Sequence, residues 1–198
     1  MLRPAGSEGV RNPTPAASPG AVSDAELGLR ARSGDREAFA GIYERYARLV
    51  HGVLLAHVPL ADVHDLVQDV FVLALRSIAE LDEPARIGPW LVTIARHRAH
   101  DHHKRGRRET ELDHAPEPAT TAPQDDGGSD ESELVLATIR ALPESYRETL
   151  VLRLVEGLSG PEIAERTGLT HGSVRVNLFR GMKLLREKLE RDARKSTS

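Results

Sequence analysis

Apolar residues recur every three or four positions along most of the chain, a spacing typical of amphipathic α-helices. Two such stripes lie in the first half, on either side of Pro59. The first stripe comprises Phe39, Ile42, Tyr43, Tyr46, Leu49, Val50, Val53 and Leu54. The second comprises Val63, Leu66, Val67, Val70, Phe71, Ala74, Leu75 and Ile78. No apolar–polar alternation is long enough to indicate a sheet, so the pattern predicts an all-α fold.

Residues typical of helix N-termini predict two further helices in this half of the sequence. Ser23, Asp24 and Glu26 fit a capping box that opens the first helix. Pro89 fits the first turn of a helix over WLVTIARHRAHDHHKRGRR. Together these helices predict one small helical domain over residues 23–108.

The second half repeats the helical spacing in a different layout. ELVLATIRAL and YRETLVLRLVEG predict two helices separated by a proline, and SGPEIAERTGLTHGSVRVNLFRGMKLLREKL predicts a short helix, a turn and a longer helix. We expect Gly168 to form the turn, Leu169 to fill the core, and Thr170 or Ser173 to cap the longer helix. Its inner face would carry Val174, Leu178, Met182 and Leu185. This layout predicts a helix-turn-helix domain over residues 133–192.

The remaining segments have compositions that do not favour a packed core. Residues 1–22 contain four prolines and three glycines, which predicts a disordered tail. Residues 109–132 contain prolines and two adjacent glycines, and from Glu109 to Glu133 there are nine acidic residues and no Lys or Arg. We therefore expect a flexible acidic linker between the two domains, and a short tail over residues 193–198.

The amino-acid composition excludes several classes of protein. The absence of cysteine excludes disulfides, thiolate metal sites and cysteine nucleophiles. No apolar window approaches the roughly 18 residues of a membrane-spanning helix, and the N-terminus lacks the apolar stretch of a secretory signal. The sequence predicts a soluble cytoplasmic protein without membrane insertion.

The net charge of −3 conceals two basic segments. Residues 96–108 contain six basic residues and one acidic residue, and residues 171–198 contain eight basic and three acidic residues. Such clusters suit contacts to nucleic-acid phosphates. In a helix-turn-helix, the second helix enters the major groove, where Arg reads guanine and apolar groups contact thymine methyls. This motif alone leaves open a repressor, a response-regulator output domain or a sigma factor.

Histidines raise the question of a metal site, because several crowd one segment. His100 and His103 share a helix face, but no third ligand of certain geometry lies nearby. The sequence also lacks paired carboxylates, a nucleophile elbow and a glycine-rich phosphate loop. We therefore predict no metal, no cofactor and no catalysis by this chain. The histidines concerned are His97, His100, His102, His103 and His114.

Two motifs in order carry a family resemblance. DLVQDVF (65–71) followed by WLVTIARHRAHDHHKR (90–105) resembles region 2 of bacterial RNA polymerase sigma factors. LPESYRETLVLRLVEGLSGPEIAERTGLTHGSVRVNLFRGMKLLREKL (142–189) resembles region 4. Between these two regions, where other sigma factors have a region 3 domain, this sequence has only the linker. This domain organisation is similar to that of the extracytoplasmic-function (ECF) subfamily.

The resemblance implies a partner or nucleic-acid contact for each matching surface. Core polymerase would bind this chain through its β′ clamp helices and its β flap. The clamp helices would contact Asp65, Gln68, Asp69 and Arg76. The loop at about 80–89 would hold a flipped base of the −10 element, and the following helix would contact the −10 strand through Arg96, His97, Arg98, Lys104 and Arg105. Region 4 would read the −35 element through Ser173, Arg175, Val176, Phe179, Arg180 and Lys183. The resemblance also implies regulation by an anti-sigma factor.

Three questions stay open from the residues alone. The chain could instead be a stand-alone helix-turn-helix regulator that binds duplex operator DNA without polymerase. A histidine-based metalloenzyme is a more distant alternative. Trp90 could serve either as a core anchor or as a platform on which a base stacks.

Overall fold

The computed structural model describes residues 22–112 and 130–196, and these two ranges form eight α-helices and no strand. The first range contains α1 (Asp24–Arg32), α2 (Arg36–Leu55), α3 (Leu60–Ser77) and α4 (Ile87–Leu112), with two short 3₁₀ helices between α3 and α4. The second contains α5 (Asp130–Arg140), α6 (Glu144–Leu154), α7 (Gly160–Thr167) and α8 (His171–Ser196). The all-α prediction is confirmed. The predicted N-terminal tail and most of the predicted linker lie outside the described residues.

Helices α1–α4, which we call the first bundle, pack around α2. Ser23 caps α1, because its Oγ accepts a hydrogen bond from the Glu26 amide at 3.2 Å. The Asp24 carboxylate then accepts hydrogen bonds from Arg45 and Tyr46 on α2, which fixes the angle between the two helices. Ile42 and Leu49 are fully buried, and burial of each such side chain contributes about 1.5–3 kcal/mol.

Two residues of the predicted apolar stripes lie outside the core. Tyr43 is 45% exposed and Leu75 is 53% exposed, although both belong to the apolar stripes of their helices. Each apolar stripe is wider than the face that its helix buries. Tyr43 lies at the edge of the stripe on α2, and Leu75 lies at the edge of the stripe on α3. Tyr43 instead packs edge-on against Phe71, with ring centroids 4.7 Å apart.

Helices α5–α8, the second bundle, contain the predicted helix-turn-helix. Ser159 and Glu162 form a capping box at the start of α7, and Gly168 ends the helix in the left-handed region at φ 75°. Thr170 caps α8 by accepting a hydrogen bond from the Ser173 amide at 3.1 Å. The turn chemistry read from the sequence is therefore confirmed, and it fixes how α8 leaves α7.

The inner face of α8 differs from the prediction at one position. Met182 is 36% exposed, so its placement in the core is wrong. Its neighbour Gly181 is buried instead, where a Cβ atom would lie 3.0 Å from Leu150 Cδ1. The missing side chain lets α8 approach α6 closely, and this moves Met182 to the edge of the contact.

The two bundles share one hydrophobic core rather than standing apart. α2 packs against α6, and α4 packs against α7. Gly52 and Gly88 make this approach possible: a Cβ on Gly52 would lie 2.7 Å from Leu152 Cδ2, and one on Gly88 would lie 2.6 Å from the Arg166 carbonyl oxygen. Helical periodicity indicates which face of a helix is buried but not which helix covers it, so the sequence did not predict this contact.

Candidate nucleic-acid interfaces

The outward face of α8 combines cations with exposed apolar side chains. Phe179 is 75% exposed, more than any other large hydrophobic residue in the described ranges, and Val176 is 42% exposed. Arg175 and Arg180 are exposed beside them. Because Val174 and Leu185 are buried on the opposite side of α8, the core holds this face toward solvent. Ser173 and Lys183, the other two residues predicted here, are also exposed.

Helix α4 carries most of the second predicted DNA-binding set on its surface. His97, Lys104 and Arg105 are exposed, and Arg98 is half-buried. Trp90, near the start of the helix, is partly buried and packs against the core. This packing supports its interpretation as an anchor for α4.

Arg96 is placed differently from the other α4 cations, because it forms an ion pair with the second bundle. Its Nε donates to Glu148 Oε1 at 2.8 Å and its Nη2 donates to Glu148 Oε2 at 2.6 Å. Glu148 Oε1 also lies 2.8 Å from His57 Nε2. One carboxylate of α6 therefore holds one side chain of α4 and one from the turn after α2.

The protonation of Glu148 reflects this environment. Burial alone raises the pKa of a carboxyl group, but hydrogen bonds from Arg96 and His57 outweigh that effect and lower the pKa of Glu148 to about 2. The same hydrogen bond raises the pKa of Arg96. The pair is fully charged at neutral pH.

A second carboxylate joins the bundles in the turn after α6. Glu156 has a side chain only 7% exposed, and its Oε1 lies 2.6 Å from His51 Nδ1. Arg48 approaches the same carboxylate at 3.4 Å and donates to the Glu156 backbone carbonyl. The sequence does not predict these contacts. A Glu within the run YRETLVLRLVEG resembles an ordinary solvated residue, and only the structure shows that α2 covers it.

The predicted polymerase-binding residues share one exposed side of α3. Gln68 lies with its Nε2 2.8 Å from His64 Nε2. Two apolar side chains, Val72 and Leu75, are exposed on the same helix at 47% and 53%. The surface is therefore mixed acidic and apolar, a composition that suits a protein partner. All four predicted residues, Asp65, Gln68, Asp69 and Arg76, are exposed.

The histidines have separate partners. His102 pairs with Asp62 at 3.3 Å, and His103 lies 3.0 Å from the carbonyl oxygen of His57. In the described part of the chain, no three His, Asp or Glu residues are arranged to hold a metal ion. His114 lies outside the described residues. Among the helices that the structure describes, none combines the length and hydrophobicity that crossing a membrane requires.

Comparison with known proteins identifies both halves of the chain. Residues 42–109 match Sigma-70 region 2, and residues 132–185 match Sigma-70, region 4. The ECF RNA polymerase sigma-E factor of Haemophilus influenzae is 32% identical, over 85% of this chain and 96% of that protein. RNA polymerase sigma factor CarQ of Myxococcus xanthus is 34% identical, over 81% and 94%.

A solved structure is similar in fold over most of the chain. CnrH, in complex with the cytosolic domain of CnrY, is 28% identical with a TM-score of 0.59, covering 85% of this chain and 98% of that chain.

An all-α scaffold with Sigma-70 region 2 followed by region 4 defines a sigma factor of the sigma-70 class. More narrowly, the chain belongs to the ECF subfamily of RNA polymerase sigma factors. It binds core RNA polymerase and promoter DNA in transcription initiation. The resemblance noted in the sequence is confirmed, and the alternative of a stand-alone regulator is not favoured.

Proposed function

We propose that the second bundle, residues 133–192, recognises the duplex −35 element through α8. The observation that carries this assignment is the exposure of Phe179 and Val176 between Arg175 and Arg180 on the second helix of a helix-turn-helix. Exposed apolar groups are costly in water but can contact thymine methyls in the major groove, where arginine reads guanine. Ser173 and Lys183 flank this set and would contact phosphates.

The first bundle, residues 23–108, would recognise the −10 element as a single strand. Single-stranded DNA is bound by cations along its backbone and by pockets for unstacked bases. α4 supplies exposed cations at Lys104 and Arg105, and the loop at about 80–89 precedes this helix directly. Arg96, His97 and Arg98 complete the proposed set, although Arg96 first has to leave Glu148.

Core polymerase would bind the first bundle through α3. Asp65, Gln68 and Asp69 provide polar contacts on a surface that also exposes Val72 and Leu75. Arg76 lies one turn beyond Val72. The β flap would contact the second bundle.

Regulation would involve an anti-sigma factor that covers these surfaces. CnrH is a similar chain that forms a complex with the cytosolic domain of another protein, CnrY. We further propose that this chain catalyses no reaction and acts in the cytoplasm, where it joins polymerase.

The test is in vitro transcription with purified core polymerase and a promoter library. We expect Arg175→Ala and Arg180→Ala each to reduce initiation on promoters with particular −35 base pairs. Arg194→Ala is the matched control, because Arg194 lies on the same helix, 82% exposed and about four turns beyond Arg180. Normal initiation by both variants on every selected promoter would contradict the placement of the recognition helix. Tight binding to duplex DNA without polymerase, with a symmetric footprint, would support the stand-alone regulator instead.

A further inference from the structure

We propose that the cavity between α4 and α6 binds a small zwitterion, an amino acid or a short peptide, with its carboxylate on Arg147 and its ammonium group on Glu144. The cavity has a volume of about 640 Å³, which lies within the range of small-molecule sites. Its lining comes from α4, α6, the turn after α2 and the second turn of α8. Apart from Arg96, none of the residues that we assign to promoter DNA or polymerase lines this cavity.

Hydrogen bonds hold one wall of the cavity in place. Glu148 accepts two hydrogen bonds from Arg96 and lies 2.8 Å from His57 Nε2. His103 Nε2 lies 3.0 Å from the His57 carbonyl oxygen. The charges of Arg96 and Glu148 therefore compensate each other, and the wall that they form is fixed before any ligand binds. Recognition is left to the other side chains that line the cavity.

Glu144 and Arg147 bring one charge of each sign to the cavity. They lie three positions apart on α6, a spacing at which opposite charges pair on a helix surface. Within the described ranges, however, neither side chain forms an ion pair. Arg147 Nε donates to the Leu142 carbonyl at 2.7 Å, which leaves its two Nη groups for another acceptor.

The charge of Glu144 is felt inside the cavity. The hydrogen bond to Glu148 raises the pKa of Arg96, and the negative charge of Glu144 adds to this effect. Glu144 therefore acts on the side of α6 that faces α4. It contributes a carboxylate to the lining, while the carboxylate of Glu148 is already occupied by Arg96 and His57.

A zwitterion complements this arrangement better than a simple ion does. A guanidinium binds a carboxylate through charge-assisted hydrogen bonds, and a carboxylate accepts such bonds from an ammonium group. Inorganic phosphate would satisfy Arg147, but Glu144 would repel it. A simple cation would be attracted by Glu144 and repelled by Arg147. Only a molecule that carries both charges satisfies both side chains.

Uncharged groups complete the proposed site. His100, Ser145 and Asn177 line the cavity, and their side chains make no hydrogen bond within the part of the chain that the structure describes. They can bind peptide groups or a polar side chain of the ligand. Ala99 and Leu169 add apolar contacts. This mixture of a few polar groups with apolar lining is typical of small-molecule sites.

Isothermal titration calorimetry of the full-length chain tests the site with two sets of probes, the standard free amino acids and a library of dipeptides. We expect at least one probe to bind with a dissociation constant below about 1 mM. Its N-acetylated and C-amidated forms should each bind at least about tenfold more weakly, because each loses one charge-assisted hydrogen bond. Binding confined to one set distinguishes an amino acid from a peptide as the ligand. Absence of binding by every probe overturns the proposal.

Two variants assign the charges of the ligand to their partners. We expect Glu144→Gln to weaken binding of the unmodified probe and to remove the discrimination against its N-acetylated form. Arg147→Gln should do the same for the C-amidated form. Equal affinity of the probe for the wild type and for both variants, when circular dichroism shows them folded, would overturn the assignment. Glu144 is exposed in the first turn of α6, so its variant alone decides the question if Arg147→Gln does not fold.

The chain offers a matched control for each variant. Glu165→Gln removes an exposed carboxylate of α7 that does not line the cavity. Arg153→Gln removes another arginine of α6 that donates to a backbone carbonyl, that of Leu158 at 3.1 Å. Both controls should bind the probe as tightly as the wild type does.

The site also predicts regulation, and this part rests on the proposed −10 role of α4. A ligand that contacts α4 and α6 together favours the arrangement in which these helices are packed against each other. We therefore expect the bound probe to reduce initiation by core polymerase with the wild-type chain, but not with Glu144→Gln. A probe that binds as predicted and leaves initiation unchanged would contradict the role of α4. A chain that initiates normally and binds no probe would contradict the ligand site alone.

Discussion

Arg96 has two potential partners of the same charge, a carboxylate within the chain and a phosphate outside it. Its pairing with Glu148 uses both carboxylate oxygens at 2.6 and 2.8 Å, which is good geometry for a charge-assisted pair. Residue type and spacing identify Arg96 as a cation on a DNA-binding helix, but only the packed structure shows its internal partner.

The acid dependence of stability provides a direct test of the Glu148 contacts. Its pKa is lowered from 4.5 to about 2 in the folded chain, so the stabilisation is complete above pH 4.5 and is lost as pH falls toward 2. A shift of this size corresponds to about 3 kcal/mol. We expect Glu148→Gln to lower the free energy of unfolding at neutral pH, by an amount that shrinks below pH 4.5.

Urea unfolding of both proteins across this pH range measures the difference. A difference that stays constant from pH 7 to pH 3 would contradict the assignment of the low pKa to Glu148.

Phe179 allows DNA binding to be separated from stability. Because the side chain is 75% exposed, we expect Phe179→Ala to change the free energy of unfolding by no more than about 0.5 kcal/mol. Affinity for −35 duplex in the presence of core polymerase should fall. Leu150→Ala, at a fully buried position, should instead cost about 2–5 kcal/mol. Unfolding by urea and footprinting of the −35 region measure the two effects, and a destabilised Phe179→Ala would contradict the exposed placement.

Helix periodicity and cap residues sufficed to predict most elements. The stripes on α2 and α3, the cap at Ser23 and the turn at Gly168 all appear where the sequence indicated them. The stripes include three residues that the structure leaves exposed at their edges, Tyr43, Leu75 and Met182. An apolar stripe indicates which side of a helix faces the core, but it does not indicate how wide the surface is that packs against that side. Helix α4 begins at Ile87, slightly before the start that Pro89 suggested.

The turn between α7 and α8 should depend strongly on Gly168. Its φ of 75° is costly for a residue with a side chain, and a Cβ would also lie 3.2 Å from Pro89. We expect Gly168→Ala to lower the free energy of unfolding by about 1–2 kcal/mol. Gly172→Ala is the control, because its Cβ would meet nothing closer than 3.8 Å and alanine favours a helix. Thermal unfolding compares the two, and equal stability of both variants would contradict the strain at Gly168.

Helix α3 offers a test of the polymerase-binding surface. Asp65 and Gln68 are exposed, so replacing both with alanine should leave helicity unchanged while weakening binding to core polymerase. Glu44→Ala, an exposed carboxylate on α2, is the control. A pull-down with core polymerase measures the binding, and retention of the double variant at the wild-type level would refute this assignment.

At the scale of the whole molecule, the sequence predicts two helical units and their order but not their contact. The contact depends on Gly52 and Gly88, which allow close approach, and on Glu148 and Glu156, which pair with cations far away in the chain. None of these residues has a local signature, because each is explained only by a helix from the other bundle. The basic segments were visible in the sequence, whereas the partial neutralisation of α4 was not.

The central claim is that this chain is a sigma factor whose two bundles give core polymerase its choice of promoter. Gel filtration of the full-length chain with purified core polymerase, at several ratios, tests it most directly. The account predicts that the chain elutes with core polymerase up to one copy per enzyme, and that the Asp65 and Gln68 double variant elutes largely free. Elution of the wild-type chain only at its own size, with no fraction carried by core polymerase, would contradict the account.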